Sequence, residues 1–189
     1  MARRSSALLL VIALSSCKHE SAPPAPANHD IPRATVPIVI DGEWTEPDWS
    51  KVSLRGQFLG SDGALARPSS EVRFLHDDKD LFVGLYAADE NIQTSDAFEL
   101  HVGALALRLD ATGKVTPDTP GLRVALDRDG SLDDPKNNDE EWLLEVAIPL
   151  AATGLTPGHF VDVKASRCDV TKDGVNRCGS WSGALELAP

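Results

Sequence analysis

The stretch EVRFLHDDKDLFVGLYAADENIQTSDAFELHV, Glu71 to Val102, decides the fold. Val72 and Phe74 alternate with Glu71 and Arg73, the period of a half-buried strand. His76 to Asp80 is a polar turn. Leu81 to Ala88 is apolar almost throughout and rich in β-branched and aromatic residues, which predicts a strand buried on both faces. Asp89-Glu90-Asn91 leaves the sheet, and Asp96 to Val102 alternates again. Phe98, Leu100 and Val102 share one face of this third strand; Ala97, Glu99 and His101 share the other.

Working outward, the same signals recur. Ala34–Ile40 and Leu54–Leu59 read as strands before the central stretch, with a short helical turn at Thr45–Lys51 that points Trp49 inward. Ala104–Asp110, Leu122–Leu126, Glu141–Ile148, Phe160–Cys168 and Cys178–Leu187 read as strands after it. Pro149–Gly154 reads as one more helical turn. Breakers separate nearly all of these segments, and no strand-helix alternation appears. The expectation is an all-β fold: an antiparallel β-sandwich of about nine or ten strands with one or two short helical turns. Trp142 is expected in the core, and Trp44, beside the Asp41-Gly42 turn, is expected to be exposed.

The chain has 189 residues and a net charge of −11, which argues against nucleic acid as a partner. It divides into three parts. Residues 1–16 have a basic start and the apolar run ALLLVIAL, too short to span a bilayer as a helix. The following Leu14-Ser15-Ser16-Cys17 resembles the lipobox of bacterial lipoproteins, in which the cysteine is acylated and becomes the new N-terminus. That resemblance implies a signal peptide, a lipid on Cys17, a membrane anchor in the cell envelope and, with Lys18 next, the outer membrane. Residues 17–33 are rich in Pro and Ala and read as a tether. Residues 34–189 are the expected domain.

Two of the three cysteines lie close together, Cys168 and Cys178. Between them, Thr171 to Val175 suits a three-residue hairpin loop with Gly174 in the left-handed position. Counting outward from that loop sets Cys168 directly opposite Cys178, at a separation within the disulfide range. An exported protein meets the oxidising conditions for that bridge.

Several segments together resemble family 9 carbohydrate-binding modules. Ile40-Asp41-Gly42-Glu43 with Trp49 is similar to the opening Ile-Asp-Gly turn of that family. Val72–Leu75 with Leu81-Phe82-Val83 resembles its paired strands, and Asp96 with Glu99 its Asp-x-x-Glu strand. Trp142 with Glu145–Pro149 resembles its late strand ending in Ile-Pro. The resemblance implies a β-sandwich and a carbohydrate ligand gripped between two tryptophans. Carried over by position, Glu99, Arg108, Asp110 and Trp181 are the candidate sugar-binding residues. The other clamp position falls near Gln93, where no aromatic residue stands between Asn91 and Asp96.

Each candidate also has a plainer reading. Arg108 and Glu99 suit a cross-strand ion pair, and Trp181 a partly buried core edge. The acidic loop offers period-2 oxygens at Asp127, Asp129 and Asp133, a candidate structural calcium site, with a solvated loop as the competing reading; Gly130 is misplaced for an EF-hand. No nucleophile elbow, phosphate loop or histidine pair at metal spacing is present, and no other cofactor is expected. The expected function is therefore non-catalytic carbohydrate binding on an anchored lipoprotein. The alternatives are an interaction lipoprotein that kept the sandwich but not the sugar clamp, and an accessory domain in glycoside hydrolysis.

Overall fold

A computed structural model of the chain describes residues 27–52 and 55–189. The expected signal peptide, Cys17 and most of the expected tether lie outside the described residues. Within them are eleven strands and two short helices. In chain order these are β1 (Asn28–Ile31), α1 (Pro47–Lys51), β2 (Arg55–Gln57), β3 (Ser70–His76), β4 (Asp80–Ala88), β5 (Ala97–Val102) and β6 (Leu105–Asp110). There follow β7 (Val115–Thr116), β8 (Arg123–Asp129), β9 (Glu141–Pro149), α2 (Leu150–Thr153), β10 (Val161–Val170) and β11 (Asn176–Leu187).

The strands form two sheets, in the orders β1-β11-β10-β5-β6-β7 and β2-β3-β4-β9-β8. All pairs are antiparallel except β1 with β11. The expected all-β sandwich is therefore present. The period-2 patterns explain the core. Phe98, Leu100 and Val102 of β5 turn inward with Leu107 and Leu109 of β6, and meet Val72, Phe74, Val83, Leu85, Leu144 and Val146 from the facing sheet. Glu99 and His101 stay outside, as the alternation requires.

Three expectations are corrected. The expected tether of residues 17–33 is too long at its C-terminal end, because Asn28–Ile31 pairs with Ala184–Leu187 at the edge of the first sheet. Ala34–Ile40 is not a strand despite its β-branched content. Side-chain carboxylates take the N–H groups that a ladder would need: Asp48 accepts from Thr35 N at 2.5 Å and Val36 N at 3.1 Å, and Glu46 from Val39 N at 2.8 Å. Pro37 has no N–H to offer at all. Trp44 is half-buried rather than exposed. Its ring stacks on Trp49 at 5.9 Å between centroids and lies under the Arg73 guanidinium at 4.3 Å. Gly84 makes the room, since a Cβ there would stand 2.6 Å from the Trp44 indole.

The segment that carries Trp44 and Trp49 is fixed to the outer face of the second sheet by Glu145, which is fully buried in β9. Its Oε2 accepts from Asp41 N at 3.1 Å and Gly42 N at 3.2 Å, and its Oε1 from Trp49 Nε1 at 2.8 Å. Gly42 has φ +95, and a Cβ at this position would stand 2.8 Å from the Leu126–Asp127 backbone. Burial pushes the Glu145 carboxyl up to about 7, against the three N–H donors that favour its charged form.

The β10–β11 hairpin has the register expected from its loop. Cys168 pairs with Cys178 and the two form a disulfide with Cα atoms 4.0 Å apart. The loop closes through Thr171 N to Val175 O at 3.2 Å. Both cysteines are exposed on the outer face of the first sheet.

Replacing Cys168 and Cys178 together by alanine is expected to lower stability by about 2–3 kcal/mol, the value for so short a closed loop, read from the denaturant midpoint. Glu145 should give a pH-dependent signature. Below its ordinary value of 4.5 both native and unfolded chains hold the proton, and its contribution is complete. As the pH rises to about 7 the unfolded chain loses that proton first, so the contribution declines. The stability difference between wild type and Glu145→Gln should change by about 1–3 kcal/mol across that window. A flat difference would show that burial does not perturb this carboxyl.

Candidate functional site

The outer face of the first sheet is polar, and register brings its groups into rows. Ser180, Ser166, Glu99, Arg108 and Thr116 stand side by side across β11, β10, β5, β6 and β7. Ser182, Lys164, His101 and Ala106 form the next row. Two shallow grooves lie on this face. One, of about 220 Å³, is lined by Ser95, Ala97, Glu99, Arg108, Ser166 and Cys168, among others. The second, of about 400 Å³, is lined by His101, Asp162, Lys164 and Ser182 with their neighbours. A cavity of about 180 Å³ near Tyr86 and Gln57 is elsewhere, at the edge of the second sheet.

Arg108 organises the first groove. Its Nη2 donates to Ser95 O at 2.7 Å, its Nε lies 3.6 Å from Glu99 Oε1, and its Nη1 lies 3.7 Å from Asp110 Oδ2. The guanidinium and the Glu99 carboxylate are both about half exposed, so each retains hydrogen-bonding capacity toward solvent. Asp110 shares the face but serves the turn that follows it. Its Oδ1 accepts from Thr112 N at 3.0 Å, Thr112 Oγ1 at 2.5 Å and Lys114 N at 3.1 Å. Burial would raise its carboxyl, but those bonds and the Arg108 charge outweigh burial and hold it below its ordinary value.

Trp181 does not join this site. It pairs with Ala165, on the inward parity of β11, and its ring packs 5.5 Å from Phe74 and 6.2 Å from His29. Gly56 and Gly183 leave space for it; a Cβ on either would stand 2.8 Å from the indole. Among the described residues, no Trp, Tyr or Phe lines either groove. Ser166 was missed from the sequence, although it sits opposite Glu99; its signal was its outward parity on β10.

The acidic loop does not gather its oxygens. Asp127, Asp129 and Asp133 are exposed, and Asp133 is engaged with Thr94 N at 3.0 Å. The loop is fastened instead by buried Asp139, which accepts from Ile92 N and Ser131 N, both at 2.9 Å. Among the described residues the convergent carboxylates are Asp89, Asp96 and Asp169, at the end of the sandwich next to the first groove. Arg167 stands with them, its Nη2 donating to Asp89 Oδ2 at 2.6 Å and lying 3.1 Å from Asp169 Oδ1. Trp142 Nε1 also donates to Asp89 Oδ2, at 3.1 Å. This group was missed, although Arg167 and Asp169 continue the inward parity of Val161, Val163 and Ala165. A charged pair on a core-facing parity was the available signal.

No family model matches the chain, and no curated protein matches it. Solved structures do. A family 9 carbohydrate-binding module from Caldicellulosiruptor kristjanssonii in complex with cellotriose superposes with a TM-score of 0.62 at 14% identity, over 85% of this chain and 93% of that one. The same organism's family 9 module in complex with glucose gives 0.61 at 14% identity, over 85% and 95%. A candidate carbohydrate-binding protein from Bacteroides uniformis gives 0.60 at 10% identity, over 87% and 100%. The chain therefore has the sandwich fold of family 9 carbohydrate-binding modules.

Proposed function

We propose that this domain is a non-catalytic carbohydrate-binding module whose ligand lies along the outer face of the first sheet. The observation that carries the reading is the Arg108–Glu99 pair, half exposed in a groove and positioned by Ser95 O at 2.7 Å. A guanidinium with spare N–H donors beside a carboxylate with spare lone pairs matches the adjacent hydroxyls of a sugar ring. Ser166 and Ser180 extend that surface along the same row. The shared fold supports the reading, because structural neighbours are modules solved with glucose and with cellotriose. A lipid on Cys17 would hold the module at the cell envelope, on the outer membrane, spaced by the Pro/Ala-rich segment.

A second reading has its own observation. The groove lacks an aromatic platform, and stacking on a ring is the main apolar contribution to sugar binding. The face would then serve as a docking surface for a protein partner on an anchored lipoprotein.

Glycan-array screening followed by calorimetry separates the two. Arg108→Ala and Glu99→Gln should each weaken carbohydrate binding by about 10–100-fold, the loss of a charge-assisted hydrogen bond, with the fold intact. No retention of any glycan would favour the docking surface, and binding indifferent to both changes would place the sugar elsewhere. Cys17→Ser should move the protein from the membrane fraction to the soluble fraction; full retention in membranes would refute the anchor.

A further inference from the structure

We infer that the cavity at the edge of the second sheet, between Tyr86 and Arg67, is a further binding site, which takes a single neutral pyranose ring. It rests on its own residues and not on the groove beside Arg108.

Register assembles one wall. Gln57 of β2 stands opposite Glu71 of β3, and Glu71 opposite Tyr86 of β4, so the three side chains form a row. Parity turns that row to the outer face, because the alternate positions Val72 and Leu85 lie in the core. The loop between β2 and β3 supplies the other wall with Leu65, Ala66 and Arg67. The cavity holds about 180 Å³. That is below the roughly 300 Å³ at which pockets for drug-sized ligands begin, so it suits one small ring rather than a chain.

The walls are fixed before a ligand arrives. Phe58 N donates to Ser70 O at 3.0 Å and Ala66 N to Phe58 O at 2.9 Å, which pins both ends of the loop. Leu59 N donates to Ser180 O at 2.9 Å and ties the loop to the first sheet. Arg73 Nε holds Glu71 Oε1 at 2.5 Å. Burial first, and then Glu141, pushes the Tyr86 hydroxyl up to about 12, so it keeps its proton at neutral pH. Groups held in this way lose little freedom on binding.

Groups with spare capacity converge there. Among the described residues, the Gln57 amide and the Arg67 guanidinium make no hydrogen bond or ion pair, and Glu71 Oε2 accepts none. A guanidinium, an amide and a carboxylate each offer paired donors or acceptors in one plane, the complement of neighbouring hydroxyls. Leu65 is 49% exposed, although the loop that carries it is pinned. With the Tyr86 ring it offers apolar surface to the C–H face of a sugar. Arg67 and Glu71 bring both signs of charge, so an ion of either sign meets repulsion and a neutral ligand does not. A hydroxyl-rich ring with an apolar face answers all of these features.

The chain has one tyrosine, so the ring signals of tyrosine-labelled protein report on this cavity alone. Glucose, xylose, galactose and mannose are titrated singly into the folded domain and followed by NMR. At least one sugar should shift the Tyr86 signals saturably and show a nuclear Overhauser contact with the ring. Arg67→Ala should raise that Kd by about tenfold and Gln57→Ala by about three- to tenfold, both checked for folding by circular dichroism. If either variant fails to fold, the ring contact in the unaltered protein decides the matter. No shift with any of the sugars would overturn the inference, and so would an unchanged Kd in both folded variants. A response lost in Arg108→Ala but kept in Arg67→Ala would also overturn it, by assigning the sugar to the groove. A Tyr86 response that needs Arg67, alongside glycan binding indifferent to Arg108→Ala and Glu99→Gln, would support this site while the groove reading fails.

Discussion

Arg167 ties the two sheets together at the end of the sandwich that carries the candidate site. It projects inward from β10 of the first sheet and bonds Asp89, which closes β4 of the second; Ala88 O takes a further bond at 3.2 Å. Trp142 of β9 donates to the same carboxylate, so three strands meet at one buried anion. A buried ion pair is weak evidence for stability by itself, because desolvation opposes attraction. Its value here is geometric. The charged groups have few places to go inside an apolar core, so the chain from Asp89 to Asp96 is pinned where it leaves the sheet. That segment presents Ser95 to Arg108, and Arg108 defines the groove beside Glu99.

The second sheet is organised by a different buried carboxylate. Glu145 fastens the Asp41-Gly42 turn and Trp49, and so lays residues 34–52 over the outer face of the sheet. That explains why β4 is buried on both sides while β5 is not: one sheet is covered by chain and the other is open to solvent. The open polar face is then the only broad sheet surface among the described residues that is free to meet a ligand. The asymmetry follows from Gly84 and Gly42, which let an indole and a turn approach a sheet closely enough to be held.

Much of this was legible in the residues. The alternation in Glu71–Val102 placed Phe98, Leu100 and Val102 inside and Glu99 outside, because side-chain direction in a strand follows a period of two. The Thr171–Val175 loop placed Cys168 opposite Cys178, because a hairpin loop sets its own register. Ala34–Ile40 misled for an equally physical reason: β-branched composition says that a segment fits a sheet, not that its N–H groups are free to pair.

Local pattern determined the strand faces, the hairpin register and the all-β class, since each depends on residues close in sequence. Tertiary structure alone decided which faces share a surface. Trp181 packs against the edge of the core because β11 pairs with β10 and β10 with β5, which puts its parity with Ala165 and Leu100 rather than with Glu99. The acidic loop offered carboxylates close in sequence, yet Asp127, Asp129 and Asp133 are exposed and do not converge. Asp89, Asp96 and Asp169 converge although Asp169 follows the other two by more than seventy residues, because the strands that carry them end at the same corner of the sandwich. Spacing along a chain cannot encode that convergence; it arises only when two sheets close over a common core.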